Sequence, residues 1–221
     1  MLLTKNLTIA LTGSRFSGKN GVCKLFKQIG VPVFDADAIL KYLINYNGEV
    51  LKSVKKILGQ DFVMDDYVNP IAFDTDDKFE KLLNIVEFEL FEAFNRFITK
   101  HDNSQYVIFH SSLIFEKGWQ NRFDKVITVF TPKEDRIFRY KIETDQKIES
   151  INRLFGRELN EIIKNKMSDY VIHNYQDAPN IVKQVNNIDS EIIELYLTNH
   201  KKSKISDISL DDYSHVKNIL L

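Results

Sequence analysis

The stretch from Leu7 to Asp37 constrains the fold of this 221-residue chain more than any other part of it. It reads LTIALTGSRFSGKNGVCKLFKQIGVPVFDAD. Leu7 to Thr12 is a short apolar run with β-branched residues, which is typical of a strand buried on both faces of a parallel sheet. Apolar residues from Gly21 to Ile29 recur at helical spacing, and Gly30 then favours a helix end. The stretch therefore predicts a strand, a loop, a helix and a second strand at Val31 to Phe34.

The loop after the first strand fits the phosphate-binding pattern G-x-x-x-x-G-K. Such loops bind phosphate oxygens with backbone N–H groups and with the positive end of the following helix, and their lysine reaches the β- and γ-phosphates. The alternative is a glycine turn followed by lysine, but the position between strand and helix favours the phosphate loop. The expected nucleotide-binding residues are Gly13, Ser14, Arg15, Phe16, Ser17, Gly18, Lys19, Asn20 and Gly21.

Asn20 occupies the position where this pattern usually has the hydroxyl that coordinates Mg²⁺. An amide oxygen can also bind a hard cation, although its longer side chain moves that oxygen. Asn20 is therefore the candidate metal ligand.

Two carboxylates, Asp35 and Asp37, follow the second strand at the edge where open α/β sheets bind ligands. Such a carboxylate can accept a proton from an attacking hydroxyl, or it can cap the helix that begins near Ala38. We expect one of each: Asp37 is the candidate base, and Asp35 the structural or ribose-contacting partner.

Several segments together resemble the dephospho-coenzyme A kinase family. IALTGSRFSGK followed by GVPVFDADAI is similar to the family's TGGIGSGKS loop and its GxPVIDAD strand end. The segment from His110 to Glu116 resembles DVPLLFE, with His110 in place of the leading aspartate and Ser112 in place of proline. The resemblance implies a P-loop kinase, similar to nucleoside-monophosphate kinases, that uses ATP and Mg²⁺ to phosphorylate the ribose 3′-hydroxyl of dephospho-coenzyme A. It also implies that Asp35, Asp37 and Glu116 bind that substrate.

The arginines between residues 136 and 157 have two interpretations. They can stabilise charge on a transferring phosphoryl group, or they can lie on a solvated helix face paired with glutamates. The arginines are Arg136, Arg139, Arg153 and Arg157, and the glutamates are Glu143, Glu149 and Glu158. By resemblance, Arg139 and Arg153 match catalytic lid residues, and Asn174 lies after a strand whose following loop packs beside adenine.

Alternating strands and helices predict an α/β fold, a P-loop three-layer sandwich with a parallel sheet wrapped by helices. A kinase domain is expected over residues 1–198, with its core at about 1–37, 104–135 and 167–198. A helical substrate subdomain is expected over about 38–100, a lid over about 136–166 and a separate tail over 199–221. The apolar and aromatic residues from Phe79 to Phe97 are expected to be core.

Composition limits the partners. A formal charge of −1, from 30 basic and 31 acidic residues, argues against broad binding to nucleic acid or anionic lipid. The single Cys23 excludes an internal disulfide, the N-terminus lacks the apolar core of a signal peptide, and no apolar run approaches the ~20 residues that span a bilayer. These features predict a cytoplasmic protein with a small-molecule substrate.

Three functions stay open from the sequence. The first is the kinase that the resemblance implies. The second is a kinase for another nucleoside or nucleotide acceptor. The third is a nucleotide-binding protein with impaired catalysis, because Asn20 and His110 both depart from the family pattern near the expected metal site.

Overall fold

A computed structural model describes residues 6–60, 63–64, 67–68, 76–143, 158–175 and 179–207. The strands are β1 (Leu7–Thr12), β2 (Val33–Asp35), β3 (Val63–Met64), β4 (Tyr67–Val68), β5 (Tyr106–His110), β6 (Lys125–Phe130) and β7 (Tyr170–His173). The helices are α1 (Lys19–Gln28), α2 (Ala36–Tyr46), α3 (Gly48–Ile57), α4 (Asp76–Lys100), α5 (Lys133–Glu143), α6 (Glu161–Met167) and α7 (Ile181–Asp207).

The main sheet of the described residues has five parallel strands in the order β2-β5-β1-β6-β7. β1 lies at its centre, so the loop that follows β1 emerges at the middle of the carboxyl edge. β3 and β4 form a separate antiparallel pair. The predicted α/β sandwich with a parallel sheet is confirmed, and the order of the strands brings the ends of β1, β2 and β5 together.

Alternate residues of the buried strands pack on opposite faces of the sheet, as a strand's two-residue period requires. On one face, Ile9, Leu11 and Ile108 pack against α1 and α7. On the other face, Ala10, Phe34 and Phe109 join the apolar sides of α2, α3 and α4. The helices predicted to form a substrate subdomain therefore share a continuous core with the sheet.

One expectation about α4 needs correction. The array from Phe79 to Phe97 does supply much of the core, but Phe88 is 70% exposed because it faces away from the side of α4 that packs on the sheet. The last helix, α7, continues to Asp207 and so includes residue 199, where a separate tail is expected to begin. No helix in the described part of the chain is both long and apolar enough to span a membrane.

Candidate active site

The loop from Gly13 to Gly18 joins β1 to α1 at the carboxyl edge of the sheet. Its turn is closed by a hydrogen bond of 3.2 Å from the Ser17 N–H to the Ser14 carbonyl. Gly18, the N-cap of α1, has a φ of 86°, and a side chain there would collide with Asn174. No side chain of the described residues caps α1, so its first N–H groups are available to an anion at the loop.

Lys19 is the first residue of α1, and its ammonium lies inside the loop. The residue is only 8% exposed, and its Nζ donates to the Ser14 carbonyl at 3.1 Å. Burial lowers the pKa of Lys19 to about 8; the Asp37 carboxylate opposes this shift and the positive charge of Lys164 adds to it. The predicted phosphate-binding lysine therefore has both a carboxylate and a second ammonium in its surroundings.

Three side chains from the neighbouring strands and from α5 hold the loop in place. Asn174 donates from Nδ2 to the Ser17 carbonyl at 2.7 Å, and the Thr131 hydroxyl donates to the same oxygen at 3.0 Å. Arg139 donates to the carbonyls of Phe16 at 3.2 Å and of Asn174 at 2.8 Å. Arg139 and Asn174 were predicted for catalysis and nucleotide binding, respectively, and both donate hydrogen bonds to backbone carbonyls of the site.

A buried ion-pair cluster holds the tip of the loop. Glu158 accepts a hydrogen bond of 2.7 Å from the Arg15 N–H, and its other oxygen pairs with Arg136 at 2.9 Å. Arg136 is 2% exposed, also donates to the Arg15 carbonyl at 3.0 Å, and pairs with Glu161. Glu158 is one of the glutamates named in the solvated-face alternative, but Arg136 is buried here and Glu158 is partly buried, so this pair does not lie on a solvated helix face.

Asp37 lies in the first turn of α2, where the loop after β5 fixes its carboxylate. Oδ1 accepts from the Ser111 hydroxyl at 2.8 Å, and the Ser112 N–H lies 3.2 Å from both carboxylate oxygens. The Ser111 hydroxyl in turn accepts from the Leu113 N–H at 3.1 Å. These bonds orient the carboxylate at the same edge of the sheet as Lys19.

Asp35 has the capping role that the sequence left open for one of the two carboxylates. It is the N-cap of α2, and its Oδ1 accepts from the Ala38 N–H at 3.1 Å. Asp35 is in register with His110 of β5, and the His110 Nδ1 lies 3.5 Å from Oδ1. The hydrogen bond from His110 lowers the pKa of the Asp35 carboxyl. His110 is therefore turned to Asp35, and its buried Nε2 has no hydrogen-bond partner among the described residues.

Glu116 is linked to the phosphate loop by Lys164. Its Oε1 lies 2.5 Å from the Nζ of Lys164 on α6 and accepts from the Leu159 N–H at 3.3 Å. Lys164 also donates to the Ser14 hydroxyl at 3.4 Å. Glu116, predicted to bind the substrate, thus has a charged partner between it and the loop.

The candidate metal ligand Asn20 is exposed on the first turn of α1. Within the described ranges, no three His, Cys, Asp or Glu side chains are close enough together to hold a metal ion. Mg²⁺ usually keeps several waters and binds one or two protein ligands together with substrate phosphates. The amide oxygen of Asn20 is compatible in type with an ion that is held mainly by phosphates and water.

One edge of the sheet thus brings together the predicted loop residues and the other predicted site residues that the structure describes. These other residues are Asp35, Asp37, Glu116, Arg139 and Asn174. Arg153 lies outside the described residues. The sequence did not single out Ser111, Glu158 or Lys164 as site residues. Ser111 could have been found, because it is a polar residue directly after His110 at the end of a buried strand. Lys164 could not, because nothing in the sequence distinguishes it from neighbouring lysines.

Comparison with known proteins shows the family of the chain. The family model described as dephospho-CoA kinase matches residues 7–180, which include both the phosphate loop and the Asp37 strand end. The chain belongs to the dephospho-CoA kinase family. Members of this family are kinases, so the phosphate loop and the base candidate lie within a phosphotransferase.

Individual relatives cover most of the chain. A dephospho-CoA kinase of Aquifex aeolicus is 28% identical over 191 residues, which are 83% of this chain and 96% of the relative. One from Listeria monocytogenes is 29% identical over 192 residues, covering 80% and 93% respectively.

Solved structures share the fold. The Thermus thermophilus protein TT1252 has a TM-score of 0.72 at 21% identity, covering 86% of this chain and 98% of its own. Dephospho-CoA kinase from Campylobacter jejuni has a TM-score of 0.58 at 19% identity, covering 85% and 97%.

Proposed function

We propose that the protein transfers the γ-phosphoryl group of ATP to the ribose 3′-hydroxyl of dephospho-CoA, giving CoA and ADP. One observation carries the proposal beyond family membership. Lys19 and Asp37 lie in the first turns of two helices that begin at the same edge of the sheet, and the Asp37 carboxylate opposes the lowering of the Lys19 pKa by burial. A hydroxyl bound between them would have its proton acceptor on one side and the phosphoryl group on the other.

In this proposal the loop holds the phosphates with its backbone N–H groups, and Lys19 exchanges its contact with the Ser14 carbonyl for the β- and γ-phosphates. Asp37 accepts the proton of the 3′-hydroxyl at a carboxylate oxygen that Ser111 and Ser112 hold in place. The main contribution of the protein is then positioning and charge neutralisation, as in other phosphoryl transfers.

Mg²⁺ completes the proposed cofactor set. When bound with ATP it would neutralise charge on the phosphates, and Asn20 is the residue proposed to face it.

An ADP-release assay with ATP, Mg²⁺ and dephospho-CoA tests the proposal, with the product identified as CoA by mass and by its 3′-phosphate. We expect turnover that needs the 3′-hydroxyl and vanishes with a 3′-deoxy analogue. Turnover only with another nucleoside or nucleotide would assign a different acceptor. ATP binding without turnover on any acceptor would point to a nucleotide-binding protein.

Lys19→Ala is the variant that tests the loop, because it removes the ammonium from it. We expect ATP binding to be lost. Lys24→Ala, on an exposed position of the same helix, is the control and should bind ATP normally.

A further inference from the structure

Lys164 on α6 is among the most buried charged side chains that the structure describes. It is 1% exposed, and burying an ammonium is costly unless a partner compensates its charge. Glu116 supplies that partner at 2.5 Å, and the Leu159 N–H fixes the same carboxylate oxygen. The carboxylate therefore compensates the buried ammonium and holds it in one place.

The second contact of Lys164 leads to the phosphate loop. Its Nζ donates to the Ser14 hydroxyl at 3.4 Å, while Lys19 donates to the Ser14 carbonyl at 3.1 Å. Ser14 itself is buried. Two ammonium groups from distant parts of the chain thus contact one loop residue. Lys164 contacts the side chain of Ser14, and Lys19 contacts its main chain.

Packing alone does not account for this arrangement. A salt bridge that served only to join α6 to the sheet could lie anywhere along that contact, and an apolar pair of similar volume is often as stable. Here the charge lies directly behind the loop, close enough to Lys19 to lower its pKa. The other charged or ionisable groups that face Lys19 are Asp37 on α2, Glu158 before α6 and Cys23 on α1.

We infer that Lys164, held by Glu116, is a positioning residue of the phosphate site. It fixes the Ser14 side of the loop with an ammonium group whose charge Glu116 compensates only in part at the loop, because the ammonium and not the carboxylate contacts Ser14. Lys164 does not touch the nucleotide in this arrangement. Its effect should therefore grow with the number of phosphates on the ligand and be small for the nucleoside. The inference rests on the proposed function only in taking a nucleotide as the ligand.

The test compares binding of ATP, ADP and adenosine by titration calorimetry to the full chain, in buffer with a metal chelator so that metal binding does not contribute. Lys164→Met keeps the length of the side chain and removes its charge. We expect ATP affinity to fall ~10-fold or more, ADP affinity to fall less, and adenosine affinity to stay within about twofold. The salt dependence of ATP binding should also become shallower, because one cation fewer acts on the phosphates.

Lys164→Arg should recover much of the ATP affinity, because it restores the positive charge next to Glu116. Lys166→Met, on an exposed position of the same helix, is the matched control and should bind all three ligands normally. If Lys164→Met does not fold because Glu116 is left unpaired, the double variant Glu116→Gln, Lys164→Met removes both buried charges. It should still lose more affinity for ATP than for adenosine, because the ammonium at Ser14 is gone, but the loss should be smaller because the negative charge of Glu116 is gone as well. Equal losses for ATP and adenosine, or none, would overturn the inference.

The outcome is separable from that of the proposed function. Failure of the wild type to phosphorylate dephospho-CoA would reject the proposed function but would leave the ATP-binding comparison intact. Normal turnover by the wild type together with unchanged ATP binding by Lys164→Met would reject the inference alone.

Discussion

The Ser111 hydroxyl donates a hydrogen bond of 2.8 Å to the Asp37 carboxylate. Because an asparagine oxygen can accept the same bond and the one from the Ser112 N–H, Asp37→Asn should keep the local structure while removing the base. We expect ATP affinity to stay within about twofold of wild type and turnover of dephospho-CoA to fall ~10²-fold or more. Steady-state kinetics and ATP titration on the same preparation measure both.

Ser111→Ala is the companion variant. It removes one of the groups that orient the carboxylate but leaves the Ser112 N–H, so turnover should fall less than in Asp37→Asn. Full activity in Asp37→Asn would reject the role of Asp37 as a base.

The pKa of Lys19 gives a pH prediction. Because burial lowers this pKa to about 8 in the free protein, we expect ATP affinity to be constant below about pH 8 and to fall up to ~10-fold per pH unit above it. Adenosine, which lacks phosphates, should show no such fall. A flat ATP profile up to pH 10 would contradict the assigned shift.

Unfolding does not explain the expected loss. Between pH 8 and the ordinary lysine value of 10.5, the unfolded chain holds the proton of Lys19 and the folded protein has released it. The free energy of unfolding contributed by this group therefore rises with pH over that range. Thermal unfolding measured at each pH separates the two effects.

The sequence predicted those parts of the site whose residues lie close together along the chain. The loop from Gly13 to Lys19 and the carboxylates Asp35 and Asp37 each lie next to a strand end, where periodicity and turn residues indicate their place. Lys164 and Ser14 are 150 positions apart, and nothing near Lys164 in the sequence distinguishes it from the exposed Lys166. Which lysine is buried depends on how α6 packs on the sheet.

Arg136 shows how an ion pair between arginine and glutamate can be expected in the wrong environment. Its partner Glu158 was among the glutamates named from the sequence, since opposite charges recur along the helices there. The burial of the pair depends on Glu158 reaching the Arg15 N–H, a contact between residues 143 positions apart. Helical periodicity of charges contains no information about such a contact.

Arg139 joins two parts of the phosphate site, because it donates to the carbonyls of Phe16 and Asn174. Lysine cannot reproduce this forked contact, so Arg139→Lys should loosen the loop even without ligand. We expect the melting temperature of the free protein to fall by ~2–4 °C and ATP affinity to fall several-fold. Differential scanning calorimetry and ATP titration measure the two effects.

The result also distinguishes two roles for this arginine. A residue that acts only on the transferring phosphoryl group would lose turnover without any change in the stability of the free protein. Lys141→Ala, an exposed position on the same helix, controls for general effects of changing α5.

His110 and Asp35 face each other across β5 and β2, and this pairing predicts how the family's usual aspartate would behave at position 110. His110→Asp would place two carboxylates side by side, each of which disfavours the charge on the other. We expect the variant to have a lower free energy of unfolding at pH 7 than the neutral control His110→Asn. Urea denaturation of the two variants measures that difference.

The pH dependence of this difference in the free energy of unfolding tests whether the two carboxyl groups interact. In the wild type the hydrogen bond from His110 lowers the pKa of Asp35, so its stabilising contribution is present above the ordinary carboxyl range near pH 4 and is lost as the pH falls through the lowered value. In His110→Asp the neighbouring carboxylate should raise that pKa. The deficit relative to His110→Asn should therefore shrink as the pH falls from 7 towards 5, when one carboxyl of the pair takes up a proton. A deficit that stays constant over this range would show that the two side chains do not interact, and that the aspartate destabilises the strand through its packing.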